Sequence, residues 1–212
     1  MEKIIQRTRQ AGFTLIEISI VLIIVGLLLG GVLKGQTMVK NSKIKRIAAD
    51  SQAFIASANS YVDSYWALPG DDTGTAARWS AGITAGDGSG LVGGETFPTA
   101  TAGNEDLLAI GHLRCAELLK GSCAAAATLP RNSVGGVIGI VDGSGANDNV
   151  FGMDTKTICQ SAIEFEYAQV YDTQFDDGVG TTGTIRGGSG GTVTAAASAY
   201  VTGATFIVCS GY

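Results

Sequence analysis

Residues 12–25 read GFTLIEISIVLIIV. The apolar run continues to Leu33, and Glu17 interrupts it near one end, where a lone carboxylate in hydrocarbon costs about 2.5–3.5 kcal/mol even on an insertion scale. Phe13–Leu33 is 21 residues carrying that single charge. As a helix rising about 1.5 Å per residue it measures about 31 Å, which matches a hydrocarbon core of roughly 30 Å. Lys3, Arg7 and Arg9 precede it, so the positive-inside rule keeps the extreme N-terminus in the cytoplasm and sends the rest of the chain across the membrane.

The charges are unevenly placed. Residues 13–47 hold five basic side chains against Glu17 alone, whereas residues 48–212 hold 17 acidic against 6 basic, a net charge of −11. Nucleic-acid binding relies on Lys and Arg neutralising phosphates, so an acidic body of this kind argues against a nucleic-acid partner. At 212 residues and 45% apolar content the chain has room for one globular domain and an appendage. All four cysteines, Cys115, Cys123, Cys159 and Cys209, lie in the acidic body with no C-x-x-C pair. An even count behind an export-type segment favours disulfides over zinc and an oxidising compartment. Four cysteines allow three connectivities. The expected one joins Cys115 to Cys123 across Gly121 at a helix end, and Cys159 to Cys209 between a central and a C-terminal strand.

A removable secretory signal also combines a basic leader with an apolar core, but that core is followed by a small-residue cleavage site. Here it runs into GVLKGQTMVKNSKIKRIAADSQAF. Ile44, Ile47, Ala48, Ser51, Phe54, Ile55, Ala58, Val62 and Tyr65 then recur at three- and four-residue intervals, an amphipathic stripe that stops at Leu68-Pro69-Gly70-Asp71. One helix is expected to run from the apolar segment into the body.

Gly12 followed by Phe13-Thr14-Leu15-Ile16-Glu17, behind a short basic leader and ahead of an apolar helix, resembles the class III signal of type IV pilins and type II secretion pseudopilins. The resemblance implies that a prepilin peptidase cuts between Gly12 and Phe13 and methylates the new amino group of Phe13, while the apolar segment stays on the protein. It also implies a helical homopolymer, built by inner-membrane pilus or secretion machinery from subunits that wait in the membrane. LPGDD (68–72), NEDLLAIGHL (104–113) and YDTQFDDGVGTTGTIRG (171–187) are similar to segments of Gram-negative prepilin-type proteins. In a filament, the Glu17 carboxylate of one subunit can pair with the Phe13 amine of a neighbour and so set the axial register. The alternative is a glutamate snorkelling to the near interface.

Many family members carry a proline partway along the apolar helix, and this chain has none between Phe13 and Tyr65. Gly26, Gly30, Gly31 and Gly35 stand there instead. At about 1 kcal/mol each relative to alanine they weaken the helix by roughly 3–4 kcal/mol. Unwinding on assembly and close helix packing are both open readings of these glycines.

In the body, residues 73–103 read as a long loop with short extended pieces, and Gly86-Asp87-Gly88-Ser89-Gly90 as turns. Asn104–Lys120 reads as a helix capped by Asn104, and Ser161–Phe175 as another ending at Asp176-Asp177-Gly178. SVGGVIGIV (133–141), VFGMDTKTIC (150–159) and ATFIVC (204–209) are strand candidates, and GGSGG (187–191) a flexible surface loop. The fold expected is α+β: a long N-terminal helix packed on a small antiparallel sheet.

No catalytic constellation is found. His112, the only histidine, reads as structural on its helix. GVLKGQT (31–37) lacks the phosphate-loop pattern. Asp142, Ser144, Asn147, Asp148 and Asn149 bunch oxygen donors in a turn that would suit calcium, but the spacing does not fit an EF-hand, and Asx-rich turns are usually only turns. Asp176 and Asp177 read as capping or surface charges. No cofactor is expected.

The chain is therefore expected to comprise a leader (1–12), a transmembrane and assembly helix (13–34), an amphipathic continuation (35–67) and a globular body (68–212). The reading is a non-enzymatic pilus subunit, in the inner membrane with a periplasmic body and later in an extracellular filament. The alternatives are a type II secretion pseudopilin and a membrane-tethered periplasmic domain that never polymerises. A DNA-uptake minor pilin is disfavoured by the acidic body.

Overall fold

A computed structural model of the chain describes residues 12–79, 82–93, 97–99, 101, 103–123, 128–144 and 149–212. Helix α1 runs unbroken over Leu15–Tyr65, and the chain divides into two compact units at Asn41/Ser42, within that helix.

In the first unit every described residue is exposed. The hydroxyls of Ser19 and Thr37 donate to the carbonyls four residues back, Leu15 at 2.7 Å and Leu33 at 3.2 Å, so neither depends on water for a partner. The backbone stays helical through all four glycines from Gly26 to Gly35.

In the second unit, α1 buries Ile44, Ile47, Ala48, Ser51, Phe54, Ala58 and Tyr61. Tyr61 replaces Val62 in the expected stripe, because its hydroxyl donates to Asp72 Oδ2 at 2.7 Å and its ring is fully covered. Ser51 is buried for a polar reason: Gln160 Nε2 donates to its hydroxyl and to the Ile47 carbonyl, both at 2.8 Å. Trp66 takes the left-handed conformation that ends the helix (φ 55°).

Past the single turn α2 (Thr75–Arg78) the loop carries no strand among its described residues, and α3 (Glu105–Cys115) follows. Helix α3 stops short of Lys120 because Glu117 adopts φ 61° and the Leu118 and Leu119 N–H groups fold back onto the Leu113 carbonyl. Four strands, β1 (Ile138–Asp142), β2 (Lys156–Glu164), β3 (Ile185–Gly188) and β4 (Thr205–Gly211), form one sheet in the order β1-β2-β4-β3 with every pairing antiparallel. Helix α4 (Phe165–Phe175) packs with Ile44, Ile47 and Ala48 of α1 over Ile163, Ile185 and Phe206.

Two expectations are corrected here. Ser161–Glu164 belongs to β2, not to the following helix: Ile163 and Glu164 pair with Phe206 and Thr205 after a bulge at which Ala162 takes φ 57°. Gly187 and Gly188 are buried strand residues rather than part of a surface loop, and a side chain at Gly188 would strike the Phe151 ring. The sheet and helices together make the α+β architecture expected from the sequence.

Candidate functional site

The start of α1 is built from Thr14 and Glu17. Thr14 Oγ1 accepts the Glu17 N–H at 3.3 Å and its carbonyl accepts Ile18 N–H at 3.4 Å, which makes Thr14 the N-cap of the helix. T-L-I-E is thus also the opening of a capping box, with Glu17 in the positive first turn. That local benefit amounts to about 0.3–1 kcal/mol. It is smaller than the roughly 2.5–3.5 kcal/mol that a carboxylate costs at the centre of a span.

Gly12 and Phe13 lie exposed just before this cap. A Cβ built on Gly12 meets nothing within 4 Å, and the same holds for Gly26, Gly30, Gly31 and Gly35. The chain's own packing therefore demands none of these glycines. From Leu15 onward the apolar side chains are open, from 44% exposure at Val25 to 87% at Leu15. Helix α1 is long and apolar enough to cross a membrane. So large an apolar surface requires a membrane or other protein against it.

In the body the cysteines pair as Cys115–Cys123 and Cys159–Cys209. Cys159 and Cys209 stand directly opposite each other on β2 and β4. His112 is fully buried; its Nδ1 accepts the Gly70 N–H at 2.9 Å and its Nε2 lies 3.0 Å from the Thr84 carbonyl. These partners assign a neutral ring protonated at Nε2, and burial holds its pKa below the ordinary value. It pins the loop after α1 to α3.

The turn that suggested calcium is occupied differently. Asp142 is fully buried, its Oδ1 accepts the Ser144 N–H at 3.0 Å and the Ser144 hydroxyl, and its Oδ2 lies 3.6 Å from Lys156 Nζ. A cross-strand lysine supplies the counter-charge there. Asn147 and Asp148 lie outside the described residues, and Asn149 is exposed. Asp176 accepts Ile185 N–H at 2.8 Å, while Asp177 accepts Val179 N–H at 2.8 Å and the Thr182 hydroxyl at 2.6 Å, so both organise the turn after α4.

A grouping the sequence did not reveal is that of Asp71, Asp87 and Glu105, each with a carboxylate oxygen within 4.8 Å of the other two. LPGDD, GDGSG and NED carry these residues and read singly as turns or a helix start; only their coincidence would have signalled a site. Next to Asp71, Asp72 accepts from Tyr61, from Gly74 N–H at 2.7 Å and from Arg78. The Tyr61 hydroxyl, Gly74 and Arg78 together hold its carboxyl below the usual range against the opposing effect of burial, which is the largest single influence.

Residues 7–33 match the family described as the prokaryotic N-terminal methylation motif. No curated protein and no solved structure matches the chain. With Gly12 and Phe13 exposed ahead of a Thr14-capped, uncovered apolar helix, the chain carries over this stretch the signal motif of type IV pilins and pseudopilins.

Proposed function

We propose that the chain is a structural subunit of a type IV pilus-like filament. It enters the inner membrane as a prepilin, is cut between Gly12 and Phe13, is N-methylated at Phe13, and polymerises through α1 with its body on the filament exterior. The uncovered apolar stretch of α1 directly behind the processing motif carries this reading. Cleavage turns Phe13 into a cationic amine four residues before Glu17. In a dry bundle of helices, the carboxylate of one subunit and the amine of its neighbour offset each other's burial. A misregistered subunit leaves one charge unpaired at about 3–5 kcal/mol. That exceeds the local capping benefit several-fold and makes Glu17 the register residue.

The glycines fit the same scheme. Since a Cβ at Gly26, Gly30, Gly31 or Gly35 meets nothing within the chain, the demand for small residues there comes from neighbouring subunits or from the helix backbone during assembly. A type II secretion pseudopilus uses the same motif, and the location of the polymer separates the two.

Mass spectrometry of a sheared cell-surface fraction tests the proposal. The expected result is a mature chain beginning at methylated Phe13, and a Gly12→Val variant retained in the membrane as uncut precursor. Finding only full-length chain in the membrane, with none in sheared filaments, would overturn it.

A further inference from the structure

Asp71 lies in the loop after α1, Asp87 in the glycine-rich turn, and Glu105 at the first position of α3. Backbone donors draw these three stretches together. Gly90 N–H donates to Asp71 Oδ2 at 2.9 Å and Ser89 N–H to Asp87 Oδ1 at 2.8 Å, while the N–H groups of Asp87 and Gly93 donate to Glu105 Oε1 and Oε2, each at 3.2 Å. Asp71 is 7% exposed, and its Oδ1 is sealed from solvent with no hydrogen-bond donor. A bare buried carboxylate oxygen is costly by itself, and two further carboxylates within 4.8 Å add like-charge repulsion.

Asp72 shows how this loop treats an aspartate that is compensated within the protein, through Arg78, Tyr61 and a backbone N–H. Arg78 is committed to it. Among the described residues no lysine or arginine forms an ion pair with Asp71, Asp87 or Glu105. A second acidic group, Asp172, Asp176 and Asp177, is just as tightly spaced, yet its oxygens are taken up by Gly178 and Ile185 N–H groups and by the Tyr200 and Thr182 hydroxyls, with no bare buried oxygen among them.

We infer that Asp71, Asp87 and Glu105 bind a calcium-like divalent cation, which supplies the positive charge this loop lacks. The donors are all oxygen, with neither imidazole nor thiolate, which selects a hard cation over zinc or copper. Asp87 is exposed, so water can complete a shell of about six to eight oxygens. Bound there, the cation cross-links the loop leaving α1, the glycine-rich turn and the start of α3. Affinity in the range of extracellular modules, about 0.1–1 mM, is expected.

The test uses the full disulfide-bonded chain in detergent micelles, with calcium chloride as probe. Equilibrium dialysis should find one saturable calcium per chain, and thermal unfolding should move to higher temperature with calcium than with a chelator. Asp87→Asn, at an exposed position, should weaken binding at least tenfold and remove the thermal shift. Asp177→Asn should change neither. Absence of saturable uptake by the wild-type chain at millimolar calcium, or undiminished affinity in Asp87→Asn, would overturn the inference. Binding is measured on unassembled chain, so its outcome is separate from that of the filament proposal.

Discussion

Between Leu15 and Asn41, α1 buries none of its side chains; between Ser42 and Tyr65 it buries seven. The glycines divide the same way. At Gly30 and Gly31 an added Cβ has open space, whereas at Gly86 it would run into the Gly70 carbonyl and at Gly188 into the Phe151 ring. In the body a residue is explained by what it touches. In the first unit every described residue is exposed, so packing within the chain accounts for neither Gly12 nor Glu17 nor the four helix glycines.

The contrast breaks most sharply at Glu17. Glu17→Ala should insert and be cleaved normally, because removing the carboxylate eases insertion, yet filament yield should collapse as the Phe13 amine loses its partner. The stability of the body should be unchanged. Sheared-fraction yield beside thermal unfolding separates these effects, and wild-type filament yield would reduce Glu17 to an ordinary helix-capping residue.

Within the body, the two disulfides should show that covalent closure matters more, though only logarithmically, as the chain enclosed lengthens. Cys159–Cys209 spans 50 residues and Cys115–Cys123 only 8. Loop-closure entropy assigns about 4 kcal/mol to the first and about 2.5 kcal/mol to the second. Paired Cys→Ala variants, unfolded with denaturant, should rank in that order. Filament assembly should survive loss of Cys115–Cys123, the smaller of the two.

How far the sequence could be read follows from the range of the interactions. The buried stripe of α1 and β4 are local patterns, and they stand close to where the sequence placed them. The helix expected from Ser161 begins only at Phe165, because Ile163 and Glu164 pair with Phe206 and Thr205, more than 40 positions away. IRGG of β3 has no periodicity and two glycines; it is a strand because β4 pairs with it. The Asx-rich turn at Asp142 has a lysine partner visible only once Lys156 lies across the hairpin. The three carboxylates of Asp71, Asp87 and Glu105 were hidden for the same reason, since each sits in a stretch with a sufficient local explanation.

The smallest expected effect concerns pH and belongs wholly to the body. His112 titrates at a depressed pKa in the fold because burial disfavours its charged form. Its contribution to stability is therefore complete above the unfolded value near 6.5 and is lost as pH falls through the folded pKa. Asp106, fully buried with its pKa pushed up to about 6 by desolvation, works in the opposite direction: the fold gains from it as pH falls from about 6 toward 3.8. His112→Asn retains an oxygen acceptor for Gly70 and leaves Asp106 in place. In chelator, the wild type should lose stability below pH 6.5 faster than this variant, by up to about 1.4 kcal/mol per pH unit. Identical slopes would show that His112 takes up its proton in the folded chain as readily as in the unfolded one.

The strand order carries a consequence for how the body comes into being. β4 lies between β2 and β3, and β3 has no other neighbour in the sheet. Synthesis delivers β1 and β2 early enough to zip as a hairpin, while β3 emerges before the strand it pairs with in the sheet. Only when β4 follows, on the order of a second later at ordinary elongation rates, can it slide in as a keystone that seats β3 on one side and closes onto β2 on the other. Until then Cys159 faces an absent partner, so an oxidant acting too soon finds Cys115 and Cys123 as the nearer couple. The Cys159–Cys209 bond can therefore close only once the last strand has been made.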